Sequence, residues 1–100
     1  MVSMSNLRKL KTLGANALAA MQAFWTFEKA LADGATRKIK ELMALAVAYT
    51  TPCPYCIEIH SGKAREAGAT GAEIAEVVTI AAALRAGAAI TQDTHVFAGA

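Results

Sequence analysis

The stretch TTPCPYCIEIHSG, residues 50–62, places Cys53, Cys56 and His60 within eight positions and holds both cysteines of the chain. A proline lies on either side of Cys53, and prolines interrupt a helix that arrives from the N-terminal side. A new helix can begin near Cys53. Because residues three, four and seven positions apart share a helix face, we expect the two thiols and the imidazole to lie on one stripe.

The segment before this stretch is typical of helices and contains no convincing strand. Residues 16–34 place Leu, Met and Trp side chains near one face and end in Ala-Asp-Gly. Residues 37–50 repeat apolar side chains at helical spacing, and Thr36 can cap them. This second helix is almost wholly apolar after Glu41, so we expect it to be central.

The segment after the stretch also has helix signals. The helix that begins near Cys53 has a C-terminal stop at Gly68. Thr70 followed by Glu73 is typical of a capping box and opens a helix that we expect to close at Gly87. A short last helix with a frayed end would follow in the tail. The sequence therefore predicts one all-α domain that comprises the 100 residues.

The composition indicates which kinds of partner such a domain can have. It is 55% hydrophobic and 18% charged, which is more apolar than a small monomer can hide. Surplus apolar surface usually lies in an interface, so we expect a homo-oligomer. A net charge of +2 without a basic run and interleaved aromatic residues argues against a nucleic-acid partner.

Neither a secretory signal nor a membrane span is expected. The first residues contain no apolar core with a small-residue cleavage site. The most apolar segment, residues 74–90, carries Glu76 and Arg85 and contains Gly87. We therefore predict a cytoplasmic protein. In a reducing compartment a cysteine pair is more often catalytic or metal-binding than structural.

The expected helix start gives the two thiols a chemical setting. A helix N-terminus favours an anion, and thus the thiolate form of Cys53. His60 can take or relay a thiol proton, but it needs a partner that fixes its tautomer. Glu41, twelve residues ahead of Cys53, is the candidate, since a two-helix hairpin could fold it back onto the cysteines.

The four candidate residues lie in one longer stretch, residues 41–78, with the sequence ELMALAVAYTTPCPYCIEIHSGKAREAGATGAEIAEVV. It resembles the core of the carboxymuconolactone decarboxylase superfamily and, within it, the AhpD-like alkylhydroperoxidase branch. The motif of that branch is Glu, eleven residues, Cys-x-x-Cys, three residues, His, and it is met by Glu41, Cys53, Cys56 and His60. The resemblance extends from about Phe24 to Phe97 and leaves residues 1–13 without a readable role.

The resemblance implies an AhpD-like helical subunit of a trimer or hexamer that reduces hydroperoxides. We expect no cofactor and no metal. The resemblance implies that Cys56 attacks the hydroperoxide, that Cys53 resolves the sulfenic acid to a disulfide, and that Glu41 and His60 relay protons. It also implies a thiol electron donor, such as a lipoyl-bearing protein or a peroxiredoxin partner. The helix N-terminus instead favours Cys53 as the more reactive thiol.

Two departures from the family pattern bear on this interpretation. Tyr55 replaces a histidine that the best-known member has between its cysteines, and a phenol has a much higher pKa. The full-length member is an internal duplication, whereas this chain has one copy. A partner subunit would then supply the second half.

Four alternatives stay open. A tetrahedral zinc site could use Cys53, Cys56, His60 and Glu41, although a lone glutamate is a poor substitute for a second Cys/His pair. The lactone decarboxylase reaction of the superfamily does not depend on a Cys-x-x-Cys. The fold could serve as a structural protein without catalysis. The two cysteines could also be small buried residues, and Glu41 an ordinary surface acid paired with a basic residue one turn earlier.

The remaining conspicuous residues are expected to have structural roles and not catalytic ones. The aromatic and methionine side chains are more typical of a core or subunit contact than of a substrate pocket; they are Met21, Phe24, Trp25, Phe27 and Met43. His95 has no motif around it and is expected at the surface or in an interface.

Overall fold

The computed structural model describes residues 3–33 and 36–97, which are folded almost entirely into helices. A 3-10 segment, Met4–Lys9, is followed by α1 (Leu10–Asn16), α2 (Leu18–Ala32), α3 (Arg37–Thr50), α4 (Pro54–Glu66) and α5 (Gly71–Val96). These described ranges contain no strand. The all-α prediction is confirmed. The expected stop at Gly34 and the expected frayed end at residues 98–100 lie outside the described residues.

α3 is the central helix, as predicted, because it packs against both α4 and α5. The buried apolar side chains lie on these three helices: Leu45 and Ala48 on α3, Ala64 on α4 and Ala81 on α5. Alanine at the contacts allows the helix backbones to approach closely. Leu45 is fully buried and is the largest such side chain among the described residues.

Polar contacts join α5 to both ends of α3. Near the start of α3, Lys38 Nζ lies 2.9 Å from Glu73 Oε2. At its end, Arg85 Nη1 lies 3.5 Å from the Tyr49 carbonyl oxygen and 3.4 Å from that of Thr50. The last carbonyls of a helix lack intrahelical donors, so the guanidinium satisfies groups that α3 itself cannot.

α4 ends in the turn that the sequence indicates. Gly68 has φ of +95°, the left-handed region that favours glycine. Its N–H donates to the Arg65 carbonyl at 3.0 Å, and the Ala69 N–H donates to the Ala64 carbonyl at 2.9 Å. These two bonds are those of a Schellman motif. The predicted stop at Gly68 is confirmed.

α5 does not close at Gly87, so the prediction of a stop there and of a separate last helix is wrong. The helix continues to Val96. A glycine in a helix interior costs only about 1 kcal/mol relative to alanine, and the alanines on both sides of Gly87 are the strongest helix formers. Unbroken backbone hydrogen bonding therefore outweighs the single glycine.

Within the described residues, α5 is the one helix long and apolar enough to cross a membrane by length and composition. Its best 18-residue window has a mean hydropathy of 1.6 and is 6% buried. The same helix carries Ala81, which is buried, and Arg85, which reaches α3. Contact with α3 therefore explains the apolar side chains in one part of α5. The expectation that no segment spans a membrane stays a prediction.

α1 and α2 pack chiefly against each other. The Trp25 ring lies over Gly14, where an added Cβ would be 3.0 Å from the ring atom Cη2. Lys40 links the end of α2 to α3, since its Nζ donates to the Leu31 carbonyl at 3.0 Å and to the Asp33 carbonyl at 3.3 Å. The radius of gyration, 17.3 Å, exceeds the roughly 13 Å of a compact domain of this length.

This open arrangement leaves the larger apolar residues outside a core. Phe24, Trp25, Phe27 and Met43 are 41–61% exposed, and Met21 is half-buried. Their expected place in the core is therefore wrong for this chain, because α2 lies against little of the rest of the chain and Met43 lies on an exposed side of α3. Their place in a subunit contact stays a prediction. His95 is exposed, as expected for a surface histidine.

The two predicted N-caps differ. Thr36 holds the N-cap position of α3, but its backbone is left-handed, with φ of +67°, and its side chain does not cap the helix. At α5 the capping box is confirmed. Thr70 Oγ1 accepts the Glu73 N–H at 3.1 Å, and the Thr70 N–H donates to Glu73 Oε1 at 2.9 Å. That backbone bond and, after it, Lys38 hold the pKa of the Glu73 carboxyl below its ordinary value of 4.5.

We expect Thr70→Ala to lower the free energy of unfolding by about 1 kcal/mol, because it removes the side-chain acceptor at the start of α5. Urea denaturation followed by circular dichroism at fixed protein concentration measures this change. Thr79→Ala is the matched control, since Thr79 lies inside the same helix and bonds only the Glu76 carbonyl in its own turn. Equal losses for the two variants would contradict the capping role.

Candidate active site

The site is built on a buried acid in the contact between α3 and α4. Glu41 is only 7% exposed and lies one turn before Leu45 on the buried face of α3. Its Oε2 lies 2.6 Å from His60 Nδ1 on α4. A buried carboxylate requires a hydrogen-bonded partner, and the imidazole provides it.

The alternative that Glu41 is a surface acid paired with a basic residue one turn earlier is wrong. Arg37 instead lies 3.5 Å from Glu66, and Lys38 pairs with Glu73. Both bases point away from Glu41 toward the neighbouring helices. The hairpin of α3 and α4 thus brings Glu41 to His60, nineteen residues later, as the sequence predicts.

The contact orients His60. A carboxylate can only accept a hydrogen bond, so the Nδ1–H of the ring donates to Glu41. In the neutral ring Nε2 then keeps a lone pair and can take a proton. The His60 side chain is 29% exposed, compared with 10% for Glu41, so the imidazole stands between the buried acid and solvent.

The cysteines mark the start of α4. Cys53 is the N-cap residue and Pro54 is the first helical residue, as the sequence predicts. Cys53 Sγ accepts the Cys56 N–H at 3.3 Å. The two cysteines form a disulfide, with their Cα atoms 5.2 Å apart. An N-terminal backbone N–H that points at a sulfur favours a negative charge on it.

A cleft of about 690 Å³ adjoins the acid and the imidazole. Its lining includes Glu41, Cys56 and His60, but Cys53 is not part of it. The other lining residues come from α2, α3 and α4 and are mainly apolar: Glu28, Ala30, Leu31, Ala32, Lys40, Met43, Ala44, Ile59 and Lys63. Three of the four predicted site residues therefore border one cleft.

The expectation that both thiols lie on one helical stripe with His60 holds for Cys56 only. Cys56 lies one turn before His60, inside α4. Cys53 precedes the helix and has an extended backbone, with φ of −114° and ψ of 95°. Its side chain is therefore directed by capping rather than by helical periodicity.

Sequence reasoning did not find every contact of the motif. Asn6 Nδ2 donates to the Tyr55 hydroxyl oxygen at 3.3 Å, so the N-terminal segment reaches the residue between the cysteines. Nothing in the sequence indicates this contact. Lys63, which lines the cleft, could have been found from its spacing, three residues after His60 and seven after Cys56.

Within residues 3–33 and 36–97, no three His, Cys, Asp or Glu side chains converge on a point that could hold a metal ion. The sulfurs of Cys53 and Cys56 are bonded to each other, and His60 Nδ1 is bonded to Glu41. The four residues considered as zinc ligands are thus bonded to one another in two pairs, the two cysteines in one and His60 with Glu41 in the other.

Comparisons with known proteins cover most of the chain. Residues 15–97 match the carboxymuconolactone decarboxylase family, a range that begins nine residues before the one expected from the motif. A protein of Paracoccus denitrificans described as "Uncharacterized protein 4 in cox locus" is 49% identical over 69 residues. The match covers 67% of this chain and 62% of that protein, so the chain spans less than two thirds of the length of this relative.

We expect Glu41→Gln to change the tautomer of His60. The carboxylate requires the Nδ1–H form, whereas the amide of glutamine can donate or accept and accommodates either tautomer. NMR of the ring nitrogens, at a pH where histidine is neutral, measures the two populations. His95, which is exposed, is the internal control. An unchanged Nδ1–H population in the variant would show that Glu41 does not set the tautomer.

Proposed function

The chain belongs to the carboxymuconolactone decarboxylase family, and we propose that it is an AhpD-like thiol-dependent hydroperoxide reductase. The observation that carries the proposal is the placement of Cys56 and the Glu41–His60 pair on one cleft. A thiol, a base that can take its proton and an acid that orients the base are the parts that nucleophilic thiol chemistry requires.

The first step uses Cys56 and His60. His60 Nε2 takes the Cys56 proton, and the thiolate attacks one oxygen of the hydroperoxide. The S–O bond forms while the O–O bond breaks, which leaves a sulfenic acid on Cys56 and an alkoxide. The protonated His60, held by Glu41, returns its proton to the alkoxide as the alcohol leaves.

The second step uses Cys53. Its thiolate attacks the Cys56 sulfur, the disulfide forms, and the sulfenic oxygen leaves as water after protonation. An external dithiol then returns two electrons and two protons, which restores both thiols. Hydroperoxide and dithiol are thereby converted to alcohol, water and the oxidised donor. A lipoyl-bearing protein or a peroxiredoxin partner would fit as the donor.

The positions of the sulfurs support different roles for them. Cys56 lines the cleft, where a hydroperoxide would meet His60. Cys53 caps the helix through the Cys56 N–H, which stabilises it as a thiolate. A stabilised thiolate is a good leaving group when a donor reduces the disulfide. The helix N-terminus thus serves the resolving cysteine, and the family assignment of Cys56 as the attacking thiol is retained.

The proposal includes assembly of several copies in the cytoplasm, as a trimer or hexamer. Ile39 and Val47 lie in an apolar stripe on the outer side of α3 and are 53% and 58% exposed. Such a stripe on the central helix is typical of a surface that another subunit covers. Lactone decarboxylation, the reaction in the family's name, would leave the cysteine pair without a role.

Cysteine trapping tests the proposal. The reduced, metal-free protein is treated with one equivalent of an organic hydroperoxide, and the thiols are blocked and read by mass spectrometry. We expect a Cys53–Cys56 disulfide in the wild type and a sulfenic acid on Cys56 in Cys53→Ser, because the resolving thiol is then missing. The alcohol product is measured in the same samples.

Cys56→Ser is the matched variant. We expect no sulfenic acid on Cys53 in it, since Cys53 does not border the cleft. A sulfenic acid on Cys53 in Cys56→Ser would reverse the two roles. Oxidation of the wild-type thiols no faster than that of free cysteine would contradict the peroxidase function.

A further inference from the structure

A lysine lines the cleft two helical turns after the thiol of Cys56. Lys63 lies on α4, seven residues after Cys56 and three after His60, and all three line the cleft. Seven residues are two helical turns, so Lys63 lies about 10 Å along the helix axis from Cys56 on nearly the same face. The thiol and the ammonium thus border one groove, two turns of α4 apart.

Lys63 is the lining cation that is not already engaged by the protein. Within residues 3–33 and 36–97 its ammonium makes no hydrogen bond or ion pair. Lys40, which also lines the cleft, donates instead to the carbonyls that end α2. The lysine with free donors is therefore the one on the helix that carries Cys56.

Neither acid that lines the cleft, Glu28 or Glu41, is paired with Lys63. Glu41 is bonded to His60, which lies between Cys56 and Lys63 on α4. Glu28 lies on α2, and its carboxylate disfavours an anion on that side of the cleft. Most of the other lining residues are apolar, with Leu31, Met43 and Ile59 as the larger side chains. The groove therefore offers a thiol with its base, apolar walls and one unpaired cation.

We propose that the cleft selects hydroperoxides of medium-chain carboxylic acids, with Lys63 binding the carboxylate while the hydroperoxide group meets Cys56. This proposal rests on the peroxidase function and names its substrate class. An amphipathic chain of about 10 Å between peroxide and carboxylate would match the two-turn spacing of α4. Lys63 acts on specificity and takes no part in the bond changes, which are those already given for a hydroperoxide.

The test compares a straight-chain acid that carries a hydroperoxide at its opposite end with the methyl ester of the same compound. The readout is the ratio of kcat/KM for the acid to kcat/KM for the ester. We expect this ratio to fall about fivefold in Lys63→Met, chiefly through KM of the acid, and further in Lys63→Glu, since exposed charge pairs contribute effects of this size. Added salt should lower the ratio in the wild type but not in Lys63→Met.

Arg65→Met is the matched control, because Arg65 is an exposed cation on the same helix that does not line the cleft. We expect it to leave the ratio unchanged. A ratio that is unaffected by Lys63→Met, or lowered equally by Arg65→Met, would overturn the substrate class and leave the peroxidase function standing. If the wild type reduces neither compound but its thiols react with cumene hydroperoxide, the substrate class fails alone. If its thiols react with none of the three, the peroxidase function fails as well.

Discussion

The contact between Glu41 and His60 is the constraint on which the rest of the site depends. It joins the central helix to the helix that carries the cysteines, at 2.6 Å, in a place where Glu41 is almost closed to solvent. A carboxylate in such a place is costly unless it is hydrogen-bonded. The fold therefore holds His60 in one orientation, and that orientation leaves a ring nitrogen for proton transfer.

The packing of α3 against α4 and α5 explains how so short a chain can hold Glu41 and His60 in place. Leu45 and three alanines form the buried contacts of α3 with α4 and α5, and charged groups secure the ends of α3. α2 adds a wall of the cleft, but neither α1 nor α2 adds much packing against these three helices. The precision of the site thus comes from three helices, while the apolar surface around them is left for further contacts.

Local signals predicted the parts of the fold that depend on neighbouring residues. The prolines beside Cys53, the glycine at position 68 and the Thr70–Glu73 pair each fix a helix boundary through their own backbone chemistry. The predicted stop at Gly87 was wrong because the weak helix propensity of one glycine is outweighed by the helix that continues on both sides of it. The predicted burial of Trp25 was wrong because it depends on how α2 packs against the other helices, which no local sequence pattern encodes.

The site was predictable to a similar extent. The spacing of Glu41, Cys53, Cys56 and His60 indicated a thiol site, and the structure brings Glu41 to His60 and places Cys56 beside them. The sequence left two assignments of the cysteines in conflict, since the resemblance favoured Cys56 as the attacking thiol and the helix N-terminus favoured Cys53. The structure distinguishes the two residues by capping geometry and by which of them lines the cleft. The Asn6–Tyr55 contact joins residues 49 positions apart, beyond the reach of any periodicity.

The claim that Glu41 makes Cys56 reactive through His60 is tested most directly by the rate of Cys56 oxidation. The measurement is the second-order rate constant for cumene hydroperoxide and the reduced protein, followed by rapid quenching, in the wild type and in Glu41→Gln. The substitution keeps the shape of the side chain, and circular dichroism verifies the fold. We predict a rate about 100-fold lower in Glu41→Gln, a size typical of lost acid–base catalysis. Equal rates in a folded variant would contradict the claim.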